Sequence, residues 1–310
     1  MAERAKVLFV DDEKQILLSL RALFHPHYEV FTAETGAAAL DILGRETIHV
    51  IVSDERMPNM LGHELLRAAK QKSPHTMRLL LTGYADRDAI LDSINDGEVF
   101  RFINKPWDNL ELRTIVGTAA KIALDTADMA AVLMPNDMVT ELLLTKGIGI
   151  LVLDETPALQ QKVQRLCGPQ YPVYWAATID KALDYLHQAD IAVLVADLAV
   201  GREATTEFLK LLKRQYPLIM SIVFTAVFDA GTAIALINQA KVYRYFNGST
   251  PEVLLQRSLQ QGLLLCQTHT NNPKLLQRQE VEAMPDTILH NPSLAQRLVG
   301  RFKGLRARLR

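Results

Sequence analysis

Three carboxylates, a hydroxyl and an ammonium stand at the ends of four apolar runs in the first third of the chain. The run Lys6-Val7-Leu8-Phe9-Val10 ends on Asp11 and Asp12, and Ile48-His49-Val50-Ile51-Val52-Ser53 ends on Asp54, just before Glu55, Arg56 and a Met57-Pro58 turn. Leu79-Leu80-Leu81 stops at Thr82, and Phe100-Arg101-Phe102-Ile103-Asn104 stops at Lys105-Pro106. In an open parallel α/β sheet the strand C-termini line one edge, so side chains at those ends meet in one crevice. Clustered carboxylates repel unless a hard cation neutralises them, and an oxygen-only set suits Mg²⁺. A metal, a hydroxyl and an ammonium around one aspartate is an arrangement for phosphoryl transfer. A single acidic residue in a loop is ordinarily just solvated. Five complementary groups on four successive strand ends outweigh that reading.

These residues, together with the ending Asn104-Lys105-Pro106-Trp107-Asp108, closely resemble the receiver domain of bacterial two-component response regulators. The resemblance covers residues 1–122 and implies a role for each position. Asp54 would be the nucleophile that takes phosphate from a histidine kinase or phosphotransfer protein. Asp12 and Asp54 would bind Mg²⁺ directly, Asp11 through water and Arg56 through its backbone carbonyl. Lys105, in its Lys-Pro106 peptide, would pair with a phosphoryl oxygen. Thr82 would swing to hydrogen-bond the acyl phosphate, and Phe102 would follow it inward. Arg56 and Tyr84 would flank the path of the attacking water and lengthen the lifetime of the phosphoryl group.

Positioning these residues requires alternating strands and helices. Apolar residues at helical spacing predict helices over Gln15–Leu23, Gly36–Gly44, His63–Gln71, Arg87–Asn95 and Trp107 to about Ala131, with a further strand over Tyr28–Thr32. Five strands and five helices in alternation make a doubly wound five-stranded parallel sheet, the flavodoxin-like arrangement.

The layout then occurs again. A shift of 143 residues places Asp11 on Asp154, Asp12 on Glu155, Asp54 on Asp197, Thr82 on Thr225 and Phe102 on Tyr245, without a gap. Pro26 with Pro169, Tyr28 with Tyr171, Pro74 with Pro217 and Arg101 with Arg244 keep the same register. A duplicated α/β domain follows. The copy is chemically incomplete, because Lys105 falls on Gly248 and Pro106 on Ser249. Without the ammonium the pocket loses a principal electrostatic partner. Its residues are then either remnants in a pseudo-receiver kept for its surfaces or a second working site. The stretch Ala230–Asn247 is apolar at Ile234, Ile237, Val242, Tyr243 and Tyr245, which suits either an association face or an internal core.

The expected division is therefore an active receiver over 1–122, a helical connector over 123–147, a degenerate receiver over 148–265 and a basic helical tail over 266–310. From Pro251 onward there are nine Lys or Arg against four Asp or Glu. After Asn291-Pro292 come Arg297, Arg301, Lys303, Arg306, Arg308 and Arg310 with no acid, and Leu294, Leu298, Phe302, Leu305 and Leu309 lie near helical spacing. Such a helix packs on its own domain or a dimer mate, or binds an acidic partner, nucleic acid or a membrane surface.

With 310 residues, 49% hydrophobic and 22% charged, the composition is that of globular domains. Cys167 and Cys266 offer neither metal spacing nor a disulfide framework. The run Val7–Val10 is too short for a signal peptide, and no stretch reaches a membrane span, so a cytoplasmic protein is expected. His25, His27, His49, His63 and His75 read as solvated, and Trp107 and Trp175 as packing residues. No separate catalytic output signature is found, so the only chemistry expected is the receiver's own phosphorylation and slow dephosphorylation. The reading is a response regulator acting through phosphorylation-dependent contacts with a downstream protein or a second copy of itself. The alternative is a DNA-binding transcriptional regulator acting through the basic tail.

Overall fold

Continuous apolar runs of four to six residues form central strands, because a parallel sheet is covered by helices on both faces. The computed structural model describes residues 4–83, 95, 99–129 and 148–281. Tyr84, residues 87–94 of the helix expected at 87–95, the connector from 130 to 147 and the tail from 282 onward lie outside the described residues. The chain divides into two compact units, Met1–Pro135 and Asn136–Arg310.

In the first unit the order is β1 (Lys6–Val10), α1 (Lys14–Phe24), β2 (Glu29–Ala33), α2 (Gly36–Arg45), β3 (Val50–Asp54), α3 (Gly62–Lys72), β4 (Met77–Thr82), β5 (Arg101–Asn104) and α4 (Asn109–Asp125). The strands are all parallel, in the order β2-β1-β3-β4-β5. Val7, Leu8 and Phe9 of β1 and Val50, Ile51 and Val52 of β3 are fully buried. Burial of each such side chain is worth about 1.5–3 kcal/mol over leaving it exposed. The last helix begins two residues later than the sequence suggests. Asp108 caps it, its carboxylate accepting from the N–H groups of Leu110 at 2.8 Å and Glu111 at 2.9 Å. It ends at Asp125 rather than near Ala131, where Thr126 donates its hydroxyl to Ile122 O and a 3₁₀ turn, Ala127–Met129, follows. Ile122 and Ala123 are buried in the core, so the packed structure runs past residue 122.

The second unit contains β6 (Gly149–Leu153), α5 (Ala158–Cys167), β7 (Val173–Ala176), α6 (Ile179–Gln188), β8 (Ile191–Asp197), α7 (Arg202–Gln215), β9 (Met220–Phe224), α8 (Ala230–Ala240), β10 (Arg244–Phe246) and α9 (Glu252–Asn271). Its sheet has the order β7-β6-β8-β9-β10, again parallel. The strand registers repeat at the offset of 143: Val7 faces Val50 as Ile150 faces Val193, and Asp54 faces Leu81 as Asp197 faces Phe224. Even a helix cap repeats, since Thr35 accepts from Ala38 N and Thr178 accepts from Lys181 N. The helix α9 continues past 265 to Asn271, with Cys266 and His269 buried, and a 3₁₀ turn over Pro273–Gln279 buries Leu275. Ile234, Ile237, Val242 and Tyr245 are buried as well, which favours the core reading of that stretch over an open association face.

Candidate functional site

At the C-terminal edge of the first sheet, Asp11, Asp12 and Asp54 bring one carboxylate oxygen each to within 4.8 Å of the others. Asp11 and Asp54 are buried while Asp12 is exposed. The Lys105 ammonium lies 2.6 Å from Asp54 Oδ1 and 3.4 Å from Asp11 Oδ2. Asp11 is fixed on its other side, where Oδ1 accepts from Glu13 N at 2.9 Å. Burial pushes the Asp11 carboxyl above its ordinary pKa, against the Glu13 N–H and the Lys105 charge. Burial works against the Lys105 ammonium too. The hydrogen bond and charge of Asp54, joined by Asp11, outweigh it and hold the lysine above its ordinary pKa. An all-oxygen, anionic donor set within this span is what a small hard divalent cation requires, so the residues present fit Mg²⁺.

The other expected residues sit around this centre. Thr82 is buried at the end of β4, its hydroxyl donating to Gly83 O at 3.1 Å and its carbonyl accepting from Lys105 N at 2.9 Å. Phe102 is buried in β5, whereas the Arg56 side chain and Pro106 are exposed. The Lys105-Pro106 peptide is cis. Trp107 packs against the core and places its ring 5.9 Å from the Lys105 Nζ.

The loop after Asp54 is built with little spare room. A Cβ at Gly62 would collide with the carbonyl oxygen of Asp54 and with Leu80 Cδ1, so only glycine opens α3 here. Glu55 and His63 hold this loop, a role that the sequence reading missed. Glu55 is buried, its Oε2 accepts from His63 N at 3.0 Å, and its Oε1 lies 2.7 Å from His63 Nδ1. Glu55 O also accepts from Gly62 N at 3.0 Å, so the 56–61 loop is closed at both ends. The available signal was a carboxylate next to Asp54 with a histidine eight residues on, in the first turn of α3. His63 is therefore not a solvated histidine, and neither is His49, which is buried and accepts from Lys6 N at 3.0 Å through Nδ1.

In the second sheet the backbone half of this site repeats and the charged half does not. Asp11 N and Asp154 N each donate back to the neighbouring strand, to Ala33 O and Ala176 O respectively. Asp154 then accepts from Thr156 N, as Asp11 does from Glu13 N. Trp175, partly exposed, donates its indole N–H to Asp154 O. Among the described residues Asp197 Oδ1 meets no lysine; it accepts from Ala199 N at 2.8 Å. Burial raises the Asp197 pKa, with the Ala199 N–H opposing it and Asp154 adding to it. Among the described residues, Asp154, Glu155 and Asp197 form no group with metal-binding spacing, and Glu155 is exposed. Gly248, at the lysine position, lies in a turn tied by Asn247, whose Oδ1 accepts from Ser249 N and Oγ and from Thr250 Oγ1. Thr225 and Tyr245 are buried.

Residues 7–117 match the family described as the response regulator receiver domain. Three relatives are similar to part of the chain. The DNA-binding transcriptional regulator NtrC of Escherichia coli K12 is 36% identical over 118 residues, 38% of this chain and 25% of that protein. The hydrogenase transcriptional regulatory protein HoxA of Cupriavidus necator is 32% identical over 105 residues, 34% of this chain and 22% of that protein. The sporulation initiation phosphotransferase F of Bacillus subtilis is 33% identical over 112 residues, 36% of this chain and 90% of that protein. The chain thus spans about a quarter of the two transcriptional regulators and nearly all of the phosphotransferase. Among the described residues no helix is long and apolar enough to cross a membrane.

Proposed function

Since the chain belongs to the response regulator receiver family, we propose that it acts in two-component signalling, with Asp54 taking a phosphoryl group from a histidine kinase or phosphotransfer protein. The observation that carries this reading is the Lys105 ammonium 2.6 Å from Asp54 Oδ1, beside the Asp11, Asp12 and Asp54 carboxylates. An Asp54 oxygen attacks the donor phosphorus. The P–N bond of a phosphohistidine, or the P–O bond of acetyl phosphate, breaks, and imidazole or acetate leaves. Lys105 releases Asp54 Oδ1 as the nucleophile bonds and takes up a phosphoryl oxygen, a preorganised cation aimed where charge collects. Asp12, Asp54 and the Arg56 carbonyl, with Asp11 through water, would hold Mg²⁺, which when bound would supply further charge neutralisation at the phosphoryl group. The Thr82 hydroxyl leaves Gly83 O for the new acyl phosphate, and Phe102 fills the space behind it. A local charge change of this kind biases a two-state element.

In this reading the second unit is a degenerate receiver kept for its surfaces. A receiver that runs through α4, a connector, a degenerate receiver that runs through α9, and a basic tail beyond it form one relay adaptor. Its output is contact with a downstream protein or a second copy of the chain. The relatives named as transcriptional regulators match over only about a quarter of their length, so DNA binding is an alternative here, through the basic tail. The test is incubation with acetyl phosphate. Wild type is labelled with Mg²⁺ and not after chelation, and Asp54→Asn stays unlabelled with Mg²⁺ present. Equal labelling of wild type and Asp54→Asn contradicts the proposal.

A further inference from the structure

Arg202 is the first residue of α7, where a cation opposes the helix dipole and is disfavoured unless something compensates. Its guanidinium reaches away from the helix. Nη2 donates to Val227 O at 2.9 Å and lies 3.5 Å from Thr225 Oγ1. Thr225 Oγ1 itself donates to Val227 O at 2.8 Å and accepts from Val227 N at 3.2 Å. Two residues further on, Asp229 caps α8 by accepting from Thr232 N at 2.7 Å. The Thr232 side chain first and its N–H second, against burial and with the Arg202 charge adding to them, hold the Asp229 carboxyl below its ordinary pKa. Behind Thr225 the Tyr245 ring is buried and packs edge-on against Phe228 at 5.8 Å. One guanidinium therefore ties the start of α7 to the loop that follows β9. The position before it is Gly201, whose φ of +73° lets the chain turn into the helix. The corresponding position in the first unit is Asn59, which has no charge to place there.

We propose that Arg202 is a built-in clamp that fixes Thr225, the 226–230 loop and Tyr245 of the second unit in one arrangement, independent of phosphorylation. This rests on reading the second unit as a degenerate receiver, because Thr225 and Tyr245 then stand where Thr82 and Phe102 stand in the first. A side chain of the protein supplies the cross-loop hydrogen bonds that would otherwise form only on modification. The second unit then presents a constant face, and signalling by the chain comes from the first unit alone.

The experiment is amide hydrogen exchange on the full chain, wild type, Arg202→Ala and Arg202→Lys, resolved to peptides over 226–230. Charge-assisted hydrogen bonds are the stronger kind, so their loss speeds local opening in Arg202→Ala by about tenfold, with β8 and β9 unchanged. Arg202→Lys retains the charge but not the fork and falls between the two. In wild type, acetyl phosphate with Mg²⁺ leaves exchange over 226–230 unaltered. Unchanged exchange in Arg202→Ala overturns the clamp, as does a phosphodonor-dependent change over 226–230 in wild type. Mapping the label separates the two ideas. Phosphate on Asp197 removes the degenerate-receiver reading, whereas the Arg202→Ala exchange result bears on the clamp by itself.

Discussion

At the edge of the first sheet Asp54 meets a lysine ammonium at 2.6 Å; at the same place in the second sheet Asp197 meets the backbone N–H of Ala199 at 2.8 Å. The strands beneath are in the same order and the same register. A parallel sheet thus delivers carboxylates to its edge whether or not chemistry follows. What separates the two edges is carried by a handful of loop residues. Lys105 against Gly248 decides the charge, Asp12 against Glu155 the clustering of oxygens, and Asn59 against Arg202 whether a cation reaches the threonine at the end of the fourth strand. Scaffold and chemistry are separable here, and each difference can be altered singly.

The largest expected effect is on Lys105. Removing a preorganised cation from a developing charge costs about 10²–10³ in rate, so Lys105→Ala slows labelling by acetyl phosphate to that extent while the fold persists. The reverse change is a sharper probe. No atom lies within 4 Å of a Cβ built on Gly248, so Gly248→Lys is accommodated. It leaves Asp197 unlabelled because the second set of carboxylates does not converge; labelling there would reduce the difference between the units to one lysine.

Next comes Glu55, buried in the first unit and replaced by Leu198 at the same offset. Glu55→Ala removes hydrogen bonds to a charged group worth about 1.5–3 kcal/mol each. The urea midpoint of the first unit falls, followed through Trp107 in a Trp175→Phe background. An unmoved midpoint means that the loop after Asp54 is held by packing alone.

The second unit should differ in its pH dependence. Lys213 is buried, donating to Pro217 O at 2.8 Å and Ile219 O at 3.2 Å, and burial drives its pKa down from 10.5 to about 7. Between those values the unfolded chain holds a proton that the folded one has released. Stability from this group therefore rises with pH across that window, by about 1.4 kcal/mol per pH unit, and is flat below it. Lys213→Met removes this slope, read from urea midpoints by Trp175 fluorescence in a Trp107→Phe background. Parallel pH profiles for wild type and variant would refute it. The smallest effect concerns Arg56, whose exposed side chain follows Asp54 by two residues. Arg56→Ala shortens the phosphoryl lifetime a few-fold, as Tyr84→Ala does; equal half-lives remove the idea.

Strand ends were readable because four apolar runs each stop on a chemically distinct residue, and period alone places those residues on one edge. The offset of 143 was readable for the same reason. Helix ends were less so: Asp108 moved the start of α4 because a capping carboxylate wins over the apolar pattern that begins at Trp107. The buried polar groups were the hardest. Glu55, Lys213 and the Glu207–Lys210 pair at 2.8 Å all look like surface residues to a hydropathy reading. They are buried because each finds a partner that only the folded chain supplies. Arg202 left one legible trace, a cation at the first position of a helix.

The most direct test of the contrast between the two edges is the number and place of phosphoryl groups per chain. Wild type, Asp54→Asn and Asp197→Asn are incubated with acetyl phosphate and Mg²⁺, and intact mass is measured before deacylation. The account predicts a single phosphoryl adduct on wild type and on Asp197→Asn, and none on Asp54→Asn. An adduct that persists in Asp54→Asn and disappears only when Asp197 is also replaced would contradict it.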